Sequence, residues 1–138
     1  SVLDDEQMEW LATRPKRTTI VDGLYRLVHS HPDPDELESY VRPRQFPEMR
    51  PYLDEHDGIV LGHTHIQHEA VIDDRLVVNP GSVGQPRDGD PDAAYAVLDP
   101  DAGTVNLHRV GYDIDSVITR VEDAGLPRRT GARLLDGS

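Results

Sequence analysis

Short apolar runs separated by turn-forming residues dominate the chain. Thr18-Thr19-Ile20-Val21 and Leu24-Tyr25-Arg26-Leu27-Val28 flank Asp22-Gly23, and an Asp-Gly pair between two β-prone runs predicts a hairpin. Glu69-Ala70-Val71-Ile72 and Arg75-Leu76-Val77-Val78 flank Asp73-Asp74 and predict a second one. Residues 94–98 and 104–110 predict a third across Asp99-Pro100-Asp101-Ala102-Gly103, with Val105 and Leu107 alternating as on a half-exposed strand. Before the second hairpin lies Gly58-Ile59-Val60-Leu61-Gly62, an apolar run bounded by Gly that predicts a buried strand stopping abruptly at a loop.

Helical spacing is shorter and weaker. Asp4 or Asp5 caps a predicted helix to about Thr13, with Met8, Leu11 and Ala12 on one side and Pro15 ending it. Residues 35–42 and 47–56 predict two short helices, from Leu37, Tyr40, Val41 and from Met49, Tyr52, Leu53. Asp113 or Asp115 caps a last helix to about Ala124, with Val117, Ile118 and Val121 inward and Gly125 ending it. The tally is six or seven strands in hairpins with helices between and after them. That predicts an α+β layer, a mostly antiparallel sheet with flanking helices over 1–125, and a weakly ordered tail over 126–138. Such a sheet has one open face and needs a partner layer, either a missing half or a second copy.

Composition narrows the classes of function. One chain of 138 residues is the size of a single domain, and its net charge is −12. Lys16 is the only lysine, and no basic stripe marks a nucleic-acid clamp, so a nucleic acid is not an expected tight partner. An acidic, Asp-rich, Lys-poor surface predicts a protein of high-salt habitat, which stability rising with KCl would test. The absence of Cys removes disulfides and thiolate metal sites. No apolar run reaches membrane-spanning length and no leader precedes the fold, which predicts a cytoplasmic protein and no membrane partner. The first residue is Ser, consistent with a chain that begins inside a longer product.

Candidate chemistry gathers where apolar strands stop. His63 and His65 follow the buried strand with one residue between them, and in an extended chain such residues share a side. Imidazole is the commonest biological ligand for zinc- and iron-type centres, so the pair predicts a metal site at a strand's carboxyl end. His29 ends another strand and joins them as a candidate, with His31 as its possible substitute. His56 reads as a helix C-terminal residue, and His68 and His108 as surface residues. Asn79-Pro80-Gly81-Ser82-Val83-Gly84 reads as a loop of close backbone approach, in which Asn79 and Ser82 offer hydrogen bonds to an adjoining site.

Leu27-Val28-His29-Ser30-His31-Pro32, Gly62-His63-Thr64-His65 and Asn79-Pro80-Gly81-Ser82-Val83-Gly84-Gln85-Pro86-Arg87 resemble the closing motifs of calcineurin-like metallophosphoesterases. The small bacterial and archaeal phosphodiesterase branch is the nearest in pattern. The resemblance implies half of a sandwich of two sheets flanked by helices, with two divalent metal ions between the sheet ends. Mn²⁺ is the expected ion, with Ni²⁺, Fe or Zn²⁺ as alternatives. His29 and His63 would bind one ion and His65 the other, and an activated hydroxide would hydrolyse a small phosphate ester. Ser30 stands where the family usually has Gly. The family's three opening motifs, an Asp-x-His, a Gly-Asp with the bridging Asp and a Gly-Asn-His, are expected to be absent from this chain, which therefore resembles the C-terminal half of such an enzyme. Two rival readings are a non-catalytic scaffold on the same fold and a cupin, whose ligand pattern Gly58, His63, His65 and Glu69 roughly imitate.

Overall fold

A computed structural model describes residues 3–138. Asp4 caps helix α1 (Asp5–Ala12) through a reciprocal pair of hydrogen bonds with Gln7, as its position before an acidic first turn predicts. Strands β1 (Arg17–Ile20) and β2 (Tyr25–Val28) form the first hairpin. Strand β3 (Gly58–Val60) precedes the hairpin of β4 (His68–Ile72) and β5 (Arg75–Asn79). Asp73 and Asp74 both take left-handed backbone angles, φ 51° and 61°, as the two-residue turn with matching twist requires. Strands β6 (Ala93–Asp99) and β7 (Thr104–Val110) close the third hairpin.

The first five strands make one sheet in the order β1-β2-β3-β5-β4. The three hairpin pairings are antiparallel, whereas β2–β3 and β3–β5 are parallel and lie at the centre. A parallel pair needs a long crossover, and residues 29–57 supply it between β2 and β3. The carboxyl ends of β2, β3 and β5 therefore share one edge of the sheet. In open sheets with parallel strands that edge is where ligands bind.

Each face has its own core. Val28, Ile59, Leu61, Ile72 and Val77 pack against Val41, Phe46, Met49 and Leu53 of the crossover. On the opposite face Tyr25, Leu76 and Val78 pack with Leu98, Val105 and Leu107, so β6–β7 is a second layer. The third hairpin thus covers part of the face expected to be open. Towards the carboxyl edge, Leu27, Val60 and Pro80 with Lys16 and Arg17 still line an open cleft of about 330 Å³.

Two segments differ from the pattern-based expectation. The crossover forms one turn at Pro34–Glu36 and a ten-residue 3₁₀ helix at Pro43–Tyr52, not two α-helices over 35–42 and 47–56. Pro47 and Pro51 have no N–H to donate and crowd the preceding carbonyls, which prevents continuous α-helical bonding. After α2 (Ile114–Asp123, capped by Asp113), residues 126–138 are not a loose tail. They form α3 (Arg128–Ala132) and a last turn whose Leu134 is buried, and the Gly137 carbonyl accepts from Gly89 N–H.

Candidate metal centre

His29 directly follows β2, and Gly62 N–H donates to its carbonyl, stitching the ends of β2 and β3 together. That contact carries His63 onto His29. His29 Nε2 lies 3.1 Å from His63 Nδ1, with the rings edge to face at 4.9 Å. Tyr40 stacks on the other side of His63 at 4.5 Å and 18°. Partial burial first, then the charge that His63 and His65 would carry, holds the His29 pKa below the ordinary imidazole value. A neutral, metal-ready imidazole is favoured there.

His65 is held differently. Its Nδ1 lies 2.7 Å from the Gln85 carbonyl, which only accepts, so Nδ1 carries the proton and Nε2 keeps a free lone pair. Arg87 N–H donates back to the His65 carbonyl. His63 and His65 both have left-handed backbone angles, φ 66° and 60°. The stretch is therefore a coiled loop and not the extended chain whose alternation would aim both rings one way. His63 turns to His29, and His65 turns to the loop after β5.

Asn79 and Ser82 direct their hydrogen bonds inward. Asn79 is fully buried; its Nδ2 donates to the Gly62 carbonyl and Thr64 Oγ1, and its Oδ1 accepts from Gly81 N–H. Ser82 Oγ accepts from Gln85 N–H. Both shape the loops that carry the histidines. Gly81 must be Gly: its φ is +84°, and a Cβ would sit 2.7 Å from that of Ala94.

The remaining histidines lie apart from the cluster. His31 accepts from Asp33 N–H through Nδ1 and meets Tyr52 edge-on. His56 follows the crossover and bonds the Gly23 carbonyl, and no helix ends at it. His68 is half-buried against Phe46, and His108 stacks on Tyr95 on the outer side of β7. Asp54-Glu55-His56 and Gly89-Asp90 imitate two opening motifs as strings, but they occupy other places. Asp54 pairs with Arg26, and Asp90 sits beside Arg109.

The donor set fits divalent metal in its histidine part. Two nitrogens bound to one ion at about 2.1 Å are about 3.0 Å apart at a right angle and about 3.4 Å apart at a tetrahedral angle. The His29–His63 separation falls between those limits. Among the described residues no three His, Asp or Glu side chains converge on one point. Neutral imidazoles also supply no negative charge to offset two cations.

Sequence reasoning missed Tyr40, Gln85 and the group of Gln67, Asp88 and Arg109 behind the His65 loop. Arg109 donates to Asp88 Oδ2, to Gln67 Oε1 and to the carbonyls of Asp90 and Asp92. Burial alone would raise the Asp88 carboxyl, but Arg109 and the Gln67 N–H outweigh it and hold the pKa below the usual carboxylate value. The half-exposed pattern of β7 was the one available signal: an Arg on its inward side must find acceptors.

A sheet with parallel central strands, a second strand layer and imidazoles at the carboxyl edge of those strands define the class as an α+β sandwich with its candidate site at that edge. The model of the calcineurin-like phosphoesterase superfamily domain matches residues 4–103, and the chain belongs to that family. It is 33% identical to an uncharacterized protein of Methanocaldococcus jannaschii over 79% of this chain and 50% of that one. It is 36% identical to phosphodiesterase YfcE of Escherichia coli over 54% of this chain and 38% of that one. A crystal structure of a metallophosphoesterase from Sphaerobacter thermophilus superposes with a TM-score of 0.84 at 32% identity, covering 99% of this chain and 63% of that one. The chain thus spans half or less of the curated relatives it matches. Family and fold dispose of the cupin reading.

Proposed function

We propose that this chain supplies the histidine side of a two-metal phosphodiesterase centre. The 3.1 Å approach of His29 Nε2 and His63 Nδ1, at the ends of adjacent parallel strands, carries the reading. His29 and His63 would hold one ion, and His65, through Nε2, would bind the other. For both rings to bind a cation as neutral ligands, the proton between them would have to move to the outer nitrogen of one ring, His29 Nδ1 or His63 Nε2. The Gln85 carbonyl keeps His65 in the tautomer whose Nε2 binds metal, the usual support for such a ligand. Two divalent ions, Mn²⁺ foremost, supply an activated water and neutralise charge on the phosphoryl oxygens when bound. The substrate class is a small phosphate diester, the chemistry that the name of the E. coli relative carries.

The acidic ligands come from polypeptide that covers the open cleft at Leu27 and Val60, beside His29. A second reading, a binding scaffold without turnover, draws on the absence, among the described residues, of any group of three His, Asp or Glu side chains placed to hold a metal ion. Mn²⁺-dependent hydrolysis of bis(p-nitrophenyl) phosphate separates the two. The expected result is turnover when the chain is joined to a segment bearing the Asp and Asn ligands, abolished by His63→Ala. Metal binding without turnover in that assembly would transfer the case to the scaffold. Turnover retained by His63→Ala would refute the ligand assignment.

A further inference from the structure

Three hydrogen bonds join the loop after β5 to the His65 loop: His65 Nδ1–H to the Gln85 carbonyl, Arg87 N–H to the His65 carbonyl, and Gln67 N–H to Asp88 Oδ2. One side chain from the other sheet stands behind them. The Arg109 guanidinium bonds the same Asp88 oxygen and reaches Gln67 Oε1 at 2.9 Å. Gln67 Nε2 in turn donates to the carbonyls of Pro80, Tyr95 and His108, so its amide is anchored to both loop and hairpin. The ion pair is sheltered, with side chains 22% and 13% exposed.

We propose that Arg109 is a positioning residue for His65, acting through Asp88 and Gln67. His65 sits in a left-handed conformation that a non-Gly residue keeps only under restraint. The restraint comes from residues 85–88, and their place depends on Asp88. The Asp88 side chain is sheltered, so without Arg109 its carboxylate loses its countercharge and keeps only backbone N–H partners beside the loop. Asp88 then swings towards water and takes the Gln85 carbonyl away from His65. Arg suits the task because a planar fork of five donors meets carboxylate, amide and carbonyls at once. The significance of His65 here rests on its reading as a metal ligand.

The test uses ¹⁵N NMR of the histidine rings in the 138-residue chain. In the native protein His65 is expected as a single tautomer protonated at Nδ1. In Arg109→Gln that signature gives way to an average of the two tautomers, while the shared bond of His29 and His63 is unchanged. In a Zn²⁺ titration of the same samples, the His65 signals need roughly 10–100-fold more metal than in the native chain, and those of His29 and His63 do not. An unchanged His65 tautomer in a folded variant overturns the proposal, as does an equal disturbance of all three rings. If Arg109→Gln does not fold, Asp88→Asn repeats the test, and failure of both to fold assigns the network to stability alone. A His65 tautomer that responds while His65 never binds Zn²⁺ supports positioning and removes the ligand reading instead.

Discussion

The two parts of the histidine cluster are held by different means. His29 and His63 restrain each other across two neighbouring strands, with Gly62 N–H on the His29 carbonyl and Tyr40 stacked outside. His65 bonds the Gln85 carbonyl instead, in a segment whose Asp88 bonds Gln67 and pairs with Arg109 of the second sheet. One candidate position thus rests on strand adjacency, the other on contacts that reach the second strand layer. A substitution in β7 should therefore disturb half of the site and spare the rest.

The largest effect on that contrast is expected from Asn79, which serves both parts. Asn79→Ala leaves the Gly62 carbonyl, Thr64 Oγ1 and Gly81 N–H without their partner in a buried place. It should cost about 2–4 kcal/mol in urea unfolding and shift the NMR signals of His63 and His65 together. If only one ring shifts, the clamp is not shared. Gly81→Ala comes next, at about 1–3 kcal/mol, from a positive φ and overlap with Ala94. The added Cβ also approaches that of Gln67 at 3.1 Å, so His65 should move and the His29–His63 pair should not.

Tyr40→Ala inverts the selectivity. Loss of the stacked ring should cost about 0.5–1.5 kcal/mol and alter His63 while leaving the His65 tautomer intact. Equal changes at both would remove the distinction drawn above. The smallest effects are those of pH, and they separate the parts by window. Burial first, then the neighbouring charge of His63 and His65, holds the folded His29 pKa below the ordinary imidazole value, so the unfolded chain takes its proton first. Stability is lost as pH falls from about 6.5 through that lower value. The Asp88 carboxyl is held below the usual carboxylate value of 3.8, so its contribution persists above 3.8 and goes only as pH falls further. Ring NMR and urea midpoints across pH 7 to 3 should show His29 titrating before the Arg109–Asp88 pair opens; the reverse order would contradict both assignments.

Much of the frame was legible in the residues. Asp22-Gly23 and Asp73-Asp74 marked their hairpins because left-handed turns select those residues, and Asp4 and Asp113 marked helix starts because free N–H groups need an acceptor. The histidine candidates stood out because they follow apolar strands. The parallel centre was not legible as such, since a buried strand has the same apolar run whichever way its neighbour runs. The 3₁₀ crossover was misjudged because Met49, Tyr52 and Leu53 satisfy a helical period, while Pro47 and Pro51 decide the bonding. Leu126 and the charged residues after it looked like a tail, yet Gly131 packs closely on Ile118 and Leu134 is buried.

By itself the sequence determined the hairpins and the first and last long helices, the candidate ligand chemistry and the family to which the motifs belong. Those depend on contacts within a few residues and on side-chain type. Only the tertiary structure decided that His63 meets His29, that His65 bonds the Gln85 carbonyl, and that Arg109 pairs with Asp88. Those contacts join residues 34, 20 and 21 positions apart. No local pattern records such pairings, because they arise when the sheet is stacked and a buried charge must find its partner.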